Sequence, residues 1–285
     1  KIIFIDPERE YKDLCKNLGG DWINIGGGAG KINPLQIRPV PPDPEDEEEK
    51  LYKDEGHGMG EKALHMKTLE VFMSLYLPSL DDIKKALLKK EIIALYDSFG
   101  IHWDTNVDAL KNEDYPSFAD LAEQIKHSAA EAESYKKEYD TLALLLEDIA
   151  YGSDSFIWNG HSNIYATSRC VCLDTKDLQD APDNIKRAQY FNALGWCWQQ
   201  MSADRTEKVM LITDEGYLLA DPQVPQSLIF LRNVEKRDRK YEAALIFATH
   251  SIVDMLDPSI KMYGQALLDI PCIKLLFGAD GQNLQ

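Results

Sequence analysis

No apolar run in this sequence approaches the roughly 20 residues that a bilayer-spanning helix needs; stretches such as Leu142–Leu146 stop far short. No charged, apolar leader with a small-residue cleavage site opens the chain. Basic residues are scarce: 31 Lys and Arg face 48 Asp and Glu, for a net charge of −17. A surface this acidic repels phosphate backbones and argues against strong nucleic-acid binding, while leaving room for a local basic stripe. Five cysteines at irregular spacing fit reduced thiols in a cytosolic setting rather than a disulfide framework. Cys170 and Cys172 form a C-x-C pair on an apparent strand, without the second ligand pair of a zinc site. Also missing is a phosphate loop of the form G-x-x-x-x-G-K-[S/T]. Its nearest approach is Gly26-Gly-Gly-Ala-Gly-Lys31, with Ile25 where the first glycine belongs and Ile32 in place of the Mg2+-binding hydroxyl. Prolines rather than a helix follow it, so it reads as a glycine turn after a strand.

What is present suits a soluble α/β protein. With 285 residues, 44 % of them apolar, the chain can hold one large domain or two modest ones. Lys1–Ile5 reads as a strand already under way, and the last residues carry no helix stop, so the sequence is expected to be a piece of a longer protein. Residues 1–6 form an apolar run that ends in Asp6, residues 8–17 suit a short helix and residues 22–25 a second strand. Five prolines between 34 and 44 and six carboxylates between Asp43 and Glu49 then mark an exposed linker. From about 61 to 150 the spacing turns helical. Met66, Leu69, Met73 and Tyr76 share one face, as do Leu88, Ile92 and Leu95, then Phe118, Leu121 and Ile125, and finally Leu142, Leu145 and Ile149. After 151, four strand patterns (169–174, 208–215, 243–249 and 271–277) alternate with helical ones: a stripe of Phe191, Leu194, Trp198 and Met201, then 222–239 and 262–268. The alternation predicts a mainly parallel sheet. Three segments follow: 1–60, the first part of the α/β core with its acidic linker; 61–150, an all-α subdomain; and 151–285, the remainder of the core.

The sharpest chemical signal is Val209-Met-Leu-Ile-Thr-Asp-Glu215. A buried strand that delivers Asp-Glu to a sheet edge has the form of a Walker B motif. Asp214 would hold Mg2+, probably through water, and Glu215 would polarise the water that attacks a γ-phosphate. The same run also fits a buried strand that merely ends in acids. The next strand pattern leads to His250, a polar group able to sense the phosphate or simply a satisfied histidine. Arg232, Lys236, Arg237, Arg239 and Lys240 form a basic cluster in an acidic protein. It suits either an arginine that reaches a neighbour's nucleotide or a helix end facing its dipole.

In this order the segments resemble the conjugation and type IV secretion ATPases of the HerA–FtsK superfamily. The matching stretches are Ile2–Tyr11, Gly30–Leu35, Leu211–Leu219, Leu231–Tyr241, Ala248–Ser251 and Gly278–Leu284, spread over nearly the whole chain. The resemblance implies a RecA-like P-loop core with the all-α subdomain inserted before the Walker B strand. It also implies ATP and Mg2+ as cofactors and a ring oligomer, expected as a hexamer. The partners would be secretion-channel and coupling subunits, with a cytoplasmic location peripheral to the inner face of the membrane. It assigns catalysis to Glu215 and His250 with an arginine finger at Arg239, Arg232 or Arg237, and nucleotide contacts to Asp6, Glu8, Asp214 and Asp280. The family's phosphate loop lies upstream of the strand that opens this chain. Two positions depart from the family pattern: His250 stands where Gln is usual, and Gly216 stands where Ala is usual, which is expected only to loosen packing. A DNA translocase of the same superfamily and a non-catalytic docking module of the secretion machinery are the alternative readings.

Overall fold

The computed structural model describes residues 1–38, 60–165, 167–204, 206–216, 242–250, 256–258, 260–269 and 271–277. The acidic linker run, the basic cluster with Arg232, Arg237 and Arg239, and Asp280 lie outside the described residues. The chain divides into two compact units, Lys1–Ile23 with Ala166–Gln285, and Asn24–Tyr165.

The first unit is built on a five-stranded sheet. Its strands are β1 (Ile2–Asp6), β2 (Asp21–Asn24), β3 (Cys170–Asp174), β4 (Val209–Thr213) and β5 (Ala243–Phe247), in the spatial order β2-β3-β1-β4-β5. The β1–β3, β1–β4 and β4–β5 pairings are all parallel. Burial follows position in the sheet. Every residue of β3 and four of the five in β1 are buried, β4 alternates, and neither β2 nor β5 contains a buried residue. Continuous apolar runs therefore mark the strands covered on both faces. The short α1 (Lys12–Asn17) lies against β3, and α8 (Asp183–Ser202) against β4. In α8, Leu194 and Met201 of the expected stripe are buried, but Ala193, Trp196 and Cys197 share that burial, so the covered face is broader than a single stripe. The last described helix is α9 (Lys261–Asp269).

One strand expectation fails. Residues 271–277 form no strand: Ile273, Leu275, Leu276 and Phe277 are 75–84 % exposed. An apolar run becomes a strand only where a neighbour satisfies its backbone, and among the described residues the sheet ends at β5.

The second unit is helical: α2 (Glu61–Tyr76), α3 (Asp82–Ser98), α4 (Phe118–Glu131), α5 (Lys136–Leu145), α6 (Glu147–Tyr151) and α7 (Ser155–Trp158). The faces read from spacing on α2, α3 and α4 are buried. At the end of α5 the chain turns at Leu146, which takes the core position expected for Leu145. Local chemistry starts two of these helices. Asp81 accepts the Lys84 amide before α3, and Ser117 and Asp120 cap α4 reciprocally. Phe72, Tyr76, Phe118 and Trp158 form an aromatic cluster, with Tyr76 donating to the Asp154 carboxylate at 2.8 Å.

The Gly26–Lys31 stretch belongs to this helical unit. Gly27 needs its glycine, with φ at 107°. Lys31 Nζ donates to the carbonyls of Asn159 (2.7 Å) and Ser155 (3.5 Å), at the C-terminal end of α7. Its ammonium thus closes a helix end, and residues 32–38, the described residues that follow the turn, form no helix.

Candidate functional site: a carboxylate edge on the sheet

Parallel strands carry their carboxyl ends to one edge, where ligand sites of open α/β sheets gather. Asp6 at the end of β1 is in register with Asp174 at the end of β3. Thr213 at the end of β4 is in register with Ile5 on one side and Phe247 on the other. Asp214 and Glu215 follow at once, and His250 stands three residues past β5. The structure thus brings Asp6, Asp174, Asp214, Glu215 and His250 to the same edge.

The loop from Pro7 to Tyr11 is strapped over this edge. Asp6 does not project toward a ligand. It is fully buried, and its two carboxylate oxygens accept the Glu10 and Tyr11 amides, each at 3.0 Å. This carboxylate positions the loop. Arg9 adopts φ 62°, unusual for a residue other than glycine. It is held there by Nε donating to buried Asp174 at 2.6 Å and by a terminal nitrogen donating to Asp177 at 3.0 Å. The hydrogen bond it donates to Asp174 keeps the guanidinium even more firmly protonated than usual. Glu8 is exposed at the crest of the loop, where its carbonyl accepts from Lys176 Nζ at 3.4 Å.

The loop ends on Asp214. Tyr11 stacks on Phe4, with ring centroids 4.9 Å apart, and its hydroxyl donates to Asp214 Oδ2 at 3.0 Å. Burial, reinforced by the Asp214 hydrogen bond, pushes the phenol up to about 12. Tyr11 is therefore a proton donor throughout the neutral range. The other oxygen of Asp214 accepts the Glu215 amide at 2.9 Å. Glu215 adopts φ 47°, and backbone strain of this kind is often stored at functional sites. Two backbone bonds fix the turn: Gly216 N–H donates to Ala248 at 2.7 Å, and Ala248 N–H donates to Thr213 at 2.9 Å. The Glu215 carboxylate reaches His250, with Oε2 2.7 Å from Nδ1.

Gly216 does more than the sequence suggested. A Cβ there would fall 2.3–2.6 Å from ring atoms of Phe247. Glycine leaves room for that ring, whereas a methyl group would have to displace it. Sequence reasoning also missed Arg9, Tyr11 and Asp177 as site residues. Arg9 and Tyr11 lie within the matching stretch Ile2–Tyr11, but nothing in their spacing says that the loop folds back across the sheet edge.

The donor set suits a hard cation held mostly by other ligands. Among the described residues no group of three or more His, Cys, Asp or Glu side chains is arranged to bind a metal. Mg2+ suits such a donor set, because it keeps several waters and takes one or two carboxylates plus substrate phosphates. Asp214, partly exposed with one bond at each oxygen, can take that role.

No protein-family model matches the sequence. An uncharacterised protein of Bacillus anthracis, pXO2-09, is 22 % identical over 312 aligned positions, which take in 95 % of this chain and 45 % of that protein. The chain therefore spans less than half the length of the curated relative it matches. The solved structure of VirB4 from Thermoanaerobacter pseudethanolicus superposes with a TM-score of 0.85 at 42 % identity, over 99 % of this chain and 70 % of that one. Such identity over nearly the whole sequence, on a sheet with the expected parallel order, confirms the RecA-like core, and the chain belongs to the VirB4 family of type IV secretion ATPases.

Proposed function

We propose that the chain forms the greater part of the ATP-hydrolysing motor of a type IV secretion or conjugation apparatus, energising substrate transfer or channel assembly. The observation that carries this reading is the contact pair at the sheet edge, Tyr11 on Asp214 and His250 on Glu215. In this reading Asp214 holds Mg2+ through water, and Tyr11 fixes which way the carboxylate faces. Glu215 orients and polarises the attacking water, with His250 setting its rotamer and standing close to where a γ-phosphate would lie. The Mg2+–ATP complex, when bound, supplies the transferable phosphoryl group and the charge that draws electron density toward the leaving oxygen. Asp6 and Arg9 act at one remove, by holding the loop that carries Tyr11 and Glu8. Arg239, with Arg232 and Arg237 as competitors, is assigned the finger that reaches a neighbouring subunit's nucleotide in a ring, expected as a hexamer. Asp280 is assigned a nucleotide contact. The acidic helical subdomain at 61–150 is assigned to docking on channel and coupling subunits, at the cytoplasmic face of the inner membrane.

These 285 residues contain no lysine-bearing loop to cradle β- and γ-phosphates. The chain by itself is therefore expected to bind ATP weakly and to release phosphate negligibly. A longer chain that includes an upstream phosphate loop is expected to hydrolyse ATP with Mg2+. Phosphate release by that longer protein, compared with its Glu215→Gln variant, tests the reading; equal turnover in the two removes Glu215 as the base.

A further inference from the structure

We infer that Cys15 and Cys170 form a reversible disulfide site, closed by exchange with a small disulfide and reopened by a small thiol. Cys15 on α1 is fully buried and Cys170, the first residue of β3, is 4 % exposed. Their sulfurs lie 3.6 Å apart. A disulfide needs about 2.05 Å, so closure takes about 1.5 Å of combined sulfur movement.

The pairing is built into the packing. Gly20 donates its amide to the Cys15 carbonyl at 2.9 Å, and its backbone passes so close that a Cβ there would lie 2.5 Å from the Cys170 carbonyl oxygen and 2.8 Å from Cys15 Sγ. Phe4, Tyr11 and Trp22 pack around the same cluster. The third nearby thiol, Cys172, is directed instead to Asp6 Oδ2 at 3.6 Å. Cys15 and Cys170 are thus a defined pair within a group of three thiols, and that group is not arranged to bind a metal.

The chemistry balances without further reactants. One cysteine sulfur, as thiolate, attacks a small disulfide RS–SR, forming a mixed disulfide and expelling RS−. The second cysteine sulfur then attacks the protein-bound sulfur, forming the Cys15–Cys170 bond and expelling the other RS−. The two thiol protons end on the two RSH products. The cysteines are oxidised and the small disulfide is reduced. Burial, with the Cys170 contact, pushes the Cys15 thiol up to about 12. Exchange therefore proceeds through openings of α1, a six-residue helix with no side-chain N-cap.

The position gives the bond a consequence. Cys15 and Cys170 both belong to the sheet unit, and the entire sequence of the helical unit lies between them. Closing the pair would place that unit inside one covalent loop. The Cys15 amide donates to the Tyr11 carbonyl at 2.8 Å, so the bond would also anchor the helix on which the 7–11 loop ends. The site stands whether or not the nucleotide reading holds.

The test uses the 285-residue protein carrying Cys272→Ser, which removes the exposed thiol. It is incubated with excess oxidised glutathione, blocked with N-ethylmaleimide and digested without reduction. The expected product is a peptide pair joined through Cys15 and Cys170. It should disappear on reduction, be absent from Cys15→Ser and persist in Cys172→Ser, with circular dichroism confirming that each variant is folded. A dominant Cys15–Cys172 link overturns the inference. So does recovery of Cys15 and Cys170 only as free thiols or as separate glutathione adducts.

Discussion

Tyr11 donates its hydroxyl to Asp214 Oδ2 at 3.0 Å, joining residues 203 positions apart in the sequence. The phenol is aligned by its stack on Phe4 and by the Asp6 carboxylate that holds its amide. Tyr11→Phe keeps the stack and removes only the bond to a charged acceptor, a contribution of about 1.5–3 kcal/mol at most. In the longer protein, proposed above to hydrolyse ATP, this change is expected to raise the Mg2+ concentration for half-maximal phosphate release by about tenfold. The urea midpoint should fall by no more than this bond contributes. An unchanged Mg2+ dependence would leave Tyr11 a packing residue.

His250 and Glu215 make the second testable pair. His250→Gln restores the family's usual residue and keeps a donor for the Glu215 carboxylate, so turnover should stay within about threefold of the parent. His250→Ala leaves Glu215 without that partner and should lower turnover roughly tenfold with little change in ATP affinity. Steady-state phosphate release set beside equilibrium nucleotide binding separates the two effects. Equal turnover in the Ala and Gln variants would show that the contact is incidental.

Gly216→Ala should destabilise the sheet unit, because the new methyl group must displace the Phe247 ring. Overpacking of this kind costs about 1–3 kcal/mol. Combining it with Phe247→Leu should recover much of the loss, a coupling that a double-mutant cycle in urea measures directly. Additive effects would mean that the ring moves aside freely.

In the helical unit, His65 is buried with Nε2 unpartnered. Desolvation, followed by the charge of Arg38 and opposed by a hydrogen bond with the Pro34 backbone, lowers its pKa to about 3 from the ordinary 6.5. The fold thus favours neutral imidazole. This contribution is complete above pH 6.5 and is lost as pH falls toward 3, by up to about 1.4 kcal/mol per unit. His65→Leu should flatten the fall in urea midpoint between pH 7 and 5, read from helical circular dichroism. A slope identical to the parent's would place the acid sensitivity in groups other than His65.

Much of this protein was legible from residues alone, because its signals are local. Ile2–Asp6 and Cys170–Asp174 read as buried strands since unbroken apolar runs survive only where both faces of a sheet are covered. Met66, Leu69, Met73 and Tyr76 read as one helix face because 3.6-residue periodicity needs no knowledge of the partner. The Asp214–Glu215 pair was visible because a strand must end where its apolar run ends. Tertiary structure alone decided everything that depends on which distant segments meet. The apolar run at 271–277 forms no strand, the sheet ending at β5 among the described residues, and Asp6 turned inward to hold a loop. Gly216 proved to make room for Phe247, Tyr11 came to rest on Asp214, and Cys15 met Cys170 across the span of the helical unit. Strand pairing and loop closure are agreements between residues far apart in the chain. Periodicity reports only what one segment requires, so such agreements appear when the sheet assembles.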